Sequence, residues 1–168
     1  MVIRLILTFH IAILLFLKSQ IFALAQTFEP GHKALQLWNA EAMDNVPFAV
    51  EIWLYFMMAV LVTGLLFVWR HRAARWIVAG TVGIVLSFGF LVPALGMTPF
   101  TGLAALTHLI FWSPGLYLLI KERPFLSGVS PYAIWSGLAA FMIIVSFFFD
   151  IRDAAIYLDY ISGLNLLA

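Results

Sequence analysis

Residues 47–69 read PFAVEIWLYFMMAVLVTGLLFVW and carry one charged side chain, Glu51. A helix rising 1.5 Å per residue needs about 20 mostly apolar residues to cross roughly 30 Å of hydrocarbon, and this stretch meets that length. Its side chains do not alternate between apolar and polar, as a barrel strand would require, and the same holds for 143–149. Backbone groups in lipid must be satisfied within the segment, so the stretch predicts a membrane-spanning helix. Three further runs of this kind follow at 76–95, 103–120 and 131–149, which makes 47–149 a four-helix transmembrane domain.

The composition agrees. Of 168 residues, 64% are hydrophobic and only 10% charged, far from the roughly half-apolar, quarter-charged usage of soluble domains. Such hydrophobicity also excludes an intrinsically disordered chain. A net charge of +1 leaves no surplus of Lys and Arg for nucleic acid. With no Cys, disulfides, thiolate metal sites, iron–sulfur clusters and thiol redox chemistry are all excluded.

Residues 1–25 combine a basic start at Arg4, an apolar stretch over 5–17, the polar Lys18-Ser19-Gln20 and the small-x-small sequence Ala23-Leu24-Ala25. That pattern reads as a signal peptide, with a fifth, N-terminal transmembrane helix as the alternative. Residues 26–46 are polar, and 33–43 can be drawn as an amphipathic helix in the interface, with Leu35, Trp38 and Ala42 on one face. Residues 150–168 form either a separate exterior helix or an outward continuation of the fourth span, since no Pro or Gly intervenes before Gly163. The expected fold is therefore an all-α integral membrane bundle of four helices, preceded by a signal peptide or a fifth helix.

Charge gives the orientation. Loops 70–75 and 121–130 are basic, whereas Glu29, Glu41, Asp44, Asp150, Asp153 and Asp159 fall in the other segments. By the positive-inside rule the basic loops face the cytoplasm and the carboxyl terminus lies outside, an arrangement that suits a bacterial inner membrane. Trp53, Tyr55, Trp69, Trp76, Tyr117, Tyr132 and Trp135 fall near span ends, where an anchoring belt is expected.

Packing and site candidates follow from residues unusual in this setting. Ala79, Gly83 and Ser87 recur every fourth residue on the second span and predict a close helix–helix contact; Ser136 with Ala140 and Ala59 with Thr63 are weaker versions. Ionisable residues within spans are costly unless paired or hydrated, which singles out Glu51 and His108, at about 6 and 7.5 Å of helix rise from the exterior. Asp150, Arg152 and Asp153 join them from the end of the fourth span. Pro114 cannot donate to the carbonyl of Ile110 and marks an expected kink just below His108.

No phosphate loop, zinc motif or serine elbow occurs, and no His pair has the spacing of a zinc or haem site, so no cofactor, metal or catalytic residue is assigned. The expected partners are the lipid bilayer and a membrane protein or a second copy of the chain. The sequence favours a small accessory or assembly subunit. The alternative is a proton- or cation-coupled transporter or channel using Glu51 and His108.

Overall fold

The computed structural model describes residues 33–38, 46–164, 166 and 167. The signal peptide or fifth helix at 1–25, and most of the 26–46 segment, lie outside the described residues. Four long helices follow: α1 (Phe48–Thr63), α2 (Arg72–Leu86), α3 (Thr101–Glu122) and α4 (Pro131–Ser162). A 3-10 turn at Gly64–Phe67 extends α1, and a π turn (Ser87–Leu91) with a last α turn (Val92–Ala94) extends α2. No strand occurs among the described residues, and all four helices are long and apolar enough to cross a membrane.

Sequential helices run antiparallel, so the α1–α2 turn and the α3–α4 connection share one end of the bundle, here the basic end. The start of α1, the 95–100 turn and the end of α4 share the other. The centre is α3 and α4, with 39% of their apolar windows buried, against 22% for α1. Met57, Leu61, Ile77, Trp112, Leu119, Trp135, Met142 and Ile143 form the main buried cluster.

Close approach depends on glycine. A Cβ at Gly80 would lie 2.4 Å from the backbone oxygen of Phe111, and one at Gly115 would lie 2.4 Å from Ile77 Cγ1. Ala79 is exposed, Gly83 is partly buried against the Phe111 ring, and Ser87 is buried. The inward face of α2 thus passes through Gly80 and Gly83. Ser136 and Ala140 are buried on α4, whereas Ala59 and Thr63 are exposed on α1.

Two helices change pitch for local reasons. At Gly64 the amide turns to the carbonyl of Leu61 as the chain tightens into 3-10 geometry. The Val60 carbonyl instead accepts from Trp135 Nε1 at 2.8 Å. Trp135 is therefore a core residue at 4% exposure and not part of an interfacial belt; a Cβ at Gly64 would sit 2.8 Å from its ring. On α2 the π turn precedes Pro93, and its wider loop relieves the clash a proline ring makes with the carbonyl four residues back. Pro114, in contrast, sits inside an unbroken α3, where the Ser113 hydroxyl donates back to the carbonyl of Leu109.

At the basic end, His71 stacks on Tyr132 with ring centroids 3.4 Å apart, and Phe67 and Trp135 complete an aromatic cluster. The turn is held by the amides of Arg70 and His71, which both donate to the carbonyl of Phe67, and by Arg75 Nη1 donating to the carbonyl of Val68. After α3, Arg123 takes a left-handed conformation (φ 48°), since Pro124 disfavours the right-handed helical region for the residue before it.

At the opposite end, Lys33–Leu35 is a 3-10 turn and Leu37 forms an antiparallel bridge with Phe100. Trp38 donates to the Pro99 carbonyl and Thr101 to that of Gln36. The described part of the expected 33–43 amphipathic helix is thus a turn and an extended strap, because its backbone groups are satisfied by the 99–101 loop. Gly102 admits this strap: a Cβ there would meet Tyr157 Cβ, the Asp153 oxygen and the Ala34 oxygen at 2.6–2.9 Å. Helix α4 continues without a break through Asp150 to Ser162, where Gly163 (φ 74°) ends it. Its 32 residues make a rod of about 48 Å, longer than the roughly 30 Å of hydrocarbon.

Candidate functional site

The contact of Gly102 with Asp153 and Tyr157 sets the register of α3 against α4. Moving from there toward the centre, the next polar meeting is His108 with Asp150. His108 Nδ1 lies 3.2 Å from Asp150 Oδ2, with the two side chains 20% and 14% exposed. A carboxylate only accepts, so the imidazole donates through Nδ1 in the tautomer that carries its proton there. One turn before Asp150, the Ser146 hydroxyl donates to the same oxygen at 2.6 Å.

The imidazole is fixed from its other side. One turn along α3, the Trp112 indole stacks on the His108 ring at 4.6 Å with planes 9° apart. Trp112 is itself 2% exposed and donates from Nε1 to Thr81 Oγ1 at 3.2 Å, while Thr81 donates to the carbonyl of Ile77 at 2.9 Å. A chain of contacts from α2 through α3 to α4 therefore sets the position and plane of His108.

Of the sequence candidates, His108 and Asp150 are brought together. Glu51 is not joined to them: it is partly buried on α1, and its carboxylate makes no hydrogen bond or ion pair among the described residues. It lies three residues into its helix, against seven for His108. Arg152 is exposed and Asp153 half-buried, and each has interactions of its own. Sequence reasoning passed over Ser146, Trp112 and Thr81. The first two stand four residues from Asp150 and His108, the helical spacing that places side chains on one face, and that spacing could have found them.

The order of the groups limits the chemistry. In a hydrolytic triad the imidazole stands between nucleophile and carboxylate; here the carboxylate stands between the hydroxyl and the imidazole. Ser146 is thus hydrogen-bonded to Asp150 and not activated by His108. No group of three or more His, Asp or Glu side chains able to hold a metal converges among the described residues. What the arrangement can do is hold a proton between an imidazole and a carboxylate. No protein-family model, curated protein or solved structure matches the chain.

Proposed function

We propose that the protein is a small proton- or cation-coupled membrane transporter or channel whose ionisable centre is His108 with Asp150. The observation that carries this reading is the His108–Asp150 contact at 3.2 Å, largely enclosed by apolar helices. A protonatable pair so placed is costly to keep in a bilayer and is most simply retained to take up and release protons. Ser146 and Trp112 orient the two groups, and a second copy or a partner supplies the rest of a pathway that four helices enclose poorly. The basic loops face the cytoplasm, the centre opens to the exterior leaflet, and the cell is bacterial with the protein in its inner membrane.

Vesicles containing the purified protein and a trapped pH-sensitive dye test this. An imposed potential should drive a proton or cation flux absent from protein-free vesicles, and His108→Ala and Asp150→Asn should abolish it. Flux no greater than in protein-free vesicles, or unaltered in both variants, overturns the reading.

A second reading, an accessory or assembly subunit, rests on a different feature. The part of α4 beyond Asp150 carries exposed Ile151, Leu158 and Ile161, an apolar surface on the portion of the rod that exceeds the bilayer. Cross-linking in native membranes from a cysteine placed at Leu158 should then capture a membrane partner or a second copy; a lone monomer would refute it.

A further inference from the structure

The basic end gathers Arg70, Arg72, Arg75, Lys121 and Arg123 around a single acid, Glu122. The fold puts them at one level. Gly115 packs on Ile77, and one helical turn from that contact lie Leu119 on α3 and Ala73 on α2, both fully buried. Beyond these lie Arg70 and Arg72 on one connection and Lys121 and Arg123 on the other, with Arg75 within the turn between Ala73 and Ile77. All five cations are exposed, and Arg70, Arg72 and Arg123 make no side-chain hydrogen bond or ion pair among the described residues.

The surface is preorganised. The Arg70–Arg72 turn is pinned by two amides to Phe67, by Arg75 to Val68 and by the His71–Tyr132 stack, and Lys121 is drawn over the Tyr117 ring at 5.5 Å. The rim is apolar: Trp69 is 88% exposed and Val129 94%, with Leu66 and Leu126 also bare. Fixed cations ringed by bare apolar side chains match an amphiphile with an anionic head and hydrocarbon tails better than a free anion, which has no use for the rim.

We propose that this end binds the headgroups of anionic phospholipid, with Arg70, Arg72, Lys121 and Arg123 facing the phosphates and Trp69, Leu66 and Val129 lying along the upper acyl chains. Such binding is independent of the proton chemistry at His108.

The test uses the full-length protein in a neutral detergent, titrated with phosphatidylglycerol or phosphatidylcholine and read by native mass spectrometry. Phosphatidylglycerol should be retained in preference. Joint replacement of Arg70, Arg72, Lys121 and Arg123 by Gln should weaken that preference by about tenfold or more, since each cation near an anionic surface contributes on the order of 1 kcal/mol. Joint replacement of Lys33 and Arg152 by Gln, at the other end, should leave it unchanged. Equal retention of both lipids, or a preference that survives the fourfold change, overturns the proposal. Displacement of the lipid by an equal concentration of inorganic phosphate also overturns it, because the apolar rim would then contribute nothing.

Discussion

The two ends of the bundle treat charge in opposite ways. At the basic end five cations are exposed on the two connections, and of these only Arg75 reaches back to the backbone among the described residues, donating to the carbonyl of Val68. At the other end Lys33 and Arg152 are exposed, but two acids turn inward: Asp150 takes bonds from His108 and Ser146, and Asp159 is buried, accepting from the amide of Leu167 at 2.8 Å. Exposed charge screened by water adds little to stability, whereas an enclosed polar group must keep its partner. The first end can therefore spend its charge on binding, and the second must use it to hold helices together.

The sharpest way to break this contrast is steric. Gly102→Leu should be the most damaging change, since the new side chain meets the backbone oxygens of Asp153 and Ala34; overpacking of this kind costs roughly 1–3 kcal/mol or more and should lower the thermal midpoint in detergent. Gly137→Ala, at the basic end, meets only Phe125 Cβ at 3.3 Å and should be far milder. Equal losses would erase the difference between the ends. Next comes Asp150→Ala, which removes the acceptor of both His108 and Ser146 and should cost about 1–3 kcal/mol, while Ser146→Ala, which removes one donor and leaves the pair, should cost less. SDS-induced unfolding curves would rank them.

A smaller effect sharpens the picture of what orients the imidazole. Trp112→Phe keeps an aromatic face but loses the bond to Thr81, an expected cost of about 0.5–1.5 kcal/mol, and the His108 ring resonances should shift in NMR spectra. Unmoved resonances would mean that the indole's anchoring does not set the ring. Smallest of all, joint Gln replacement of Arg70, Arg72, Lys121 and Arg123 should change the thermal midpoint by no more than about 0.5 kcal/mol equivalent. A large loss there would show that those cations hold the fold.

The candidate site was half legible in the sequence. His108 and Asp150 stood out because an ionisable residue inside an apolar run is conspicuous on its own. Their partnership did not, and Glu51 looked equally suitable, because depth along a helix says nothing about which way a side chain points. Ser146 and Trp112 were passed over since a hydroxyl or an indole is unremarkable in a membrane helix until a partner is known. The packing row on α2 shows the same limit: Gly80 lies against Phe111 and Ala79 faces outward, although one residue, about 100° of rotation, separates them.

The sequence by itself determined that the described chain is helical, that four helices are long and apolar enough to span a bilayer, and that the basic residues cluster where the first helix meets the second and where the third meets the fourth. These follow from local quantities: backbone hydrogen bonds closed within each segment, and segment length against bilayer thickness. Only the tertiary structure decided which faces meet, that Trp135 reaches the Val60 carbonyl, and that His108 takes Asp150 and not Glu51. Helices apolar on every side carry too little asymmetry to announce their inward face, so rotation and pairing are set by where glycines let backbones close and by which polar groups can satisfy one another.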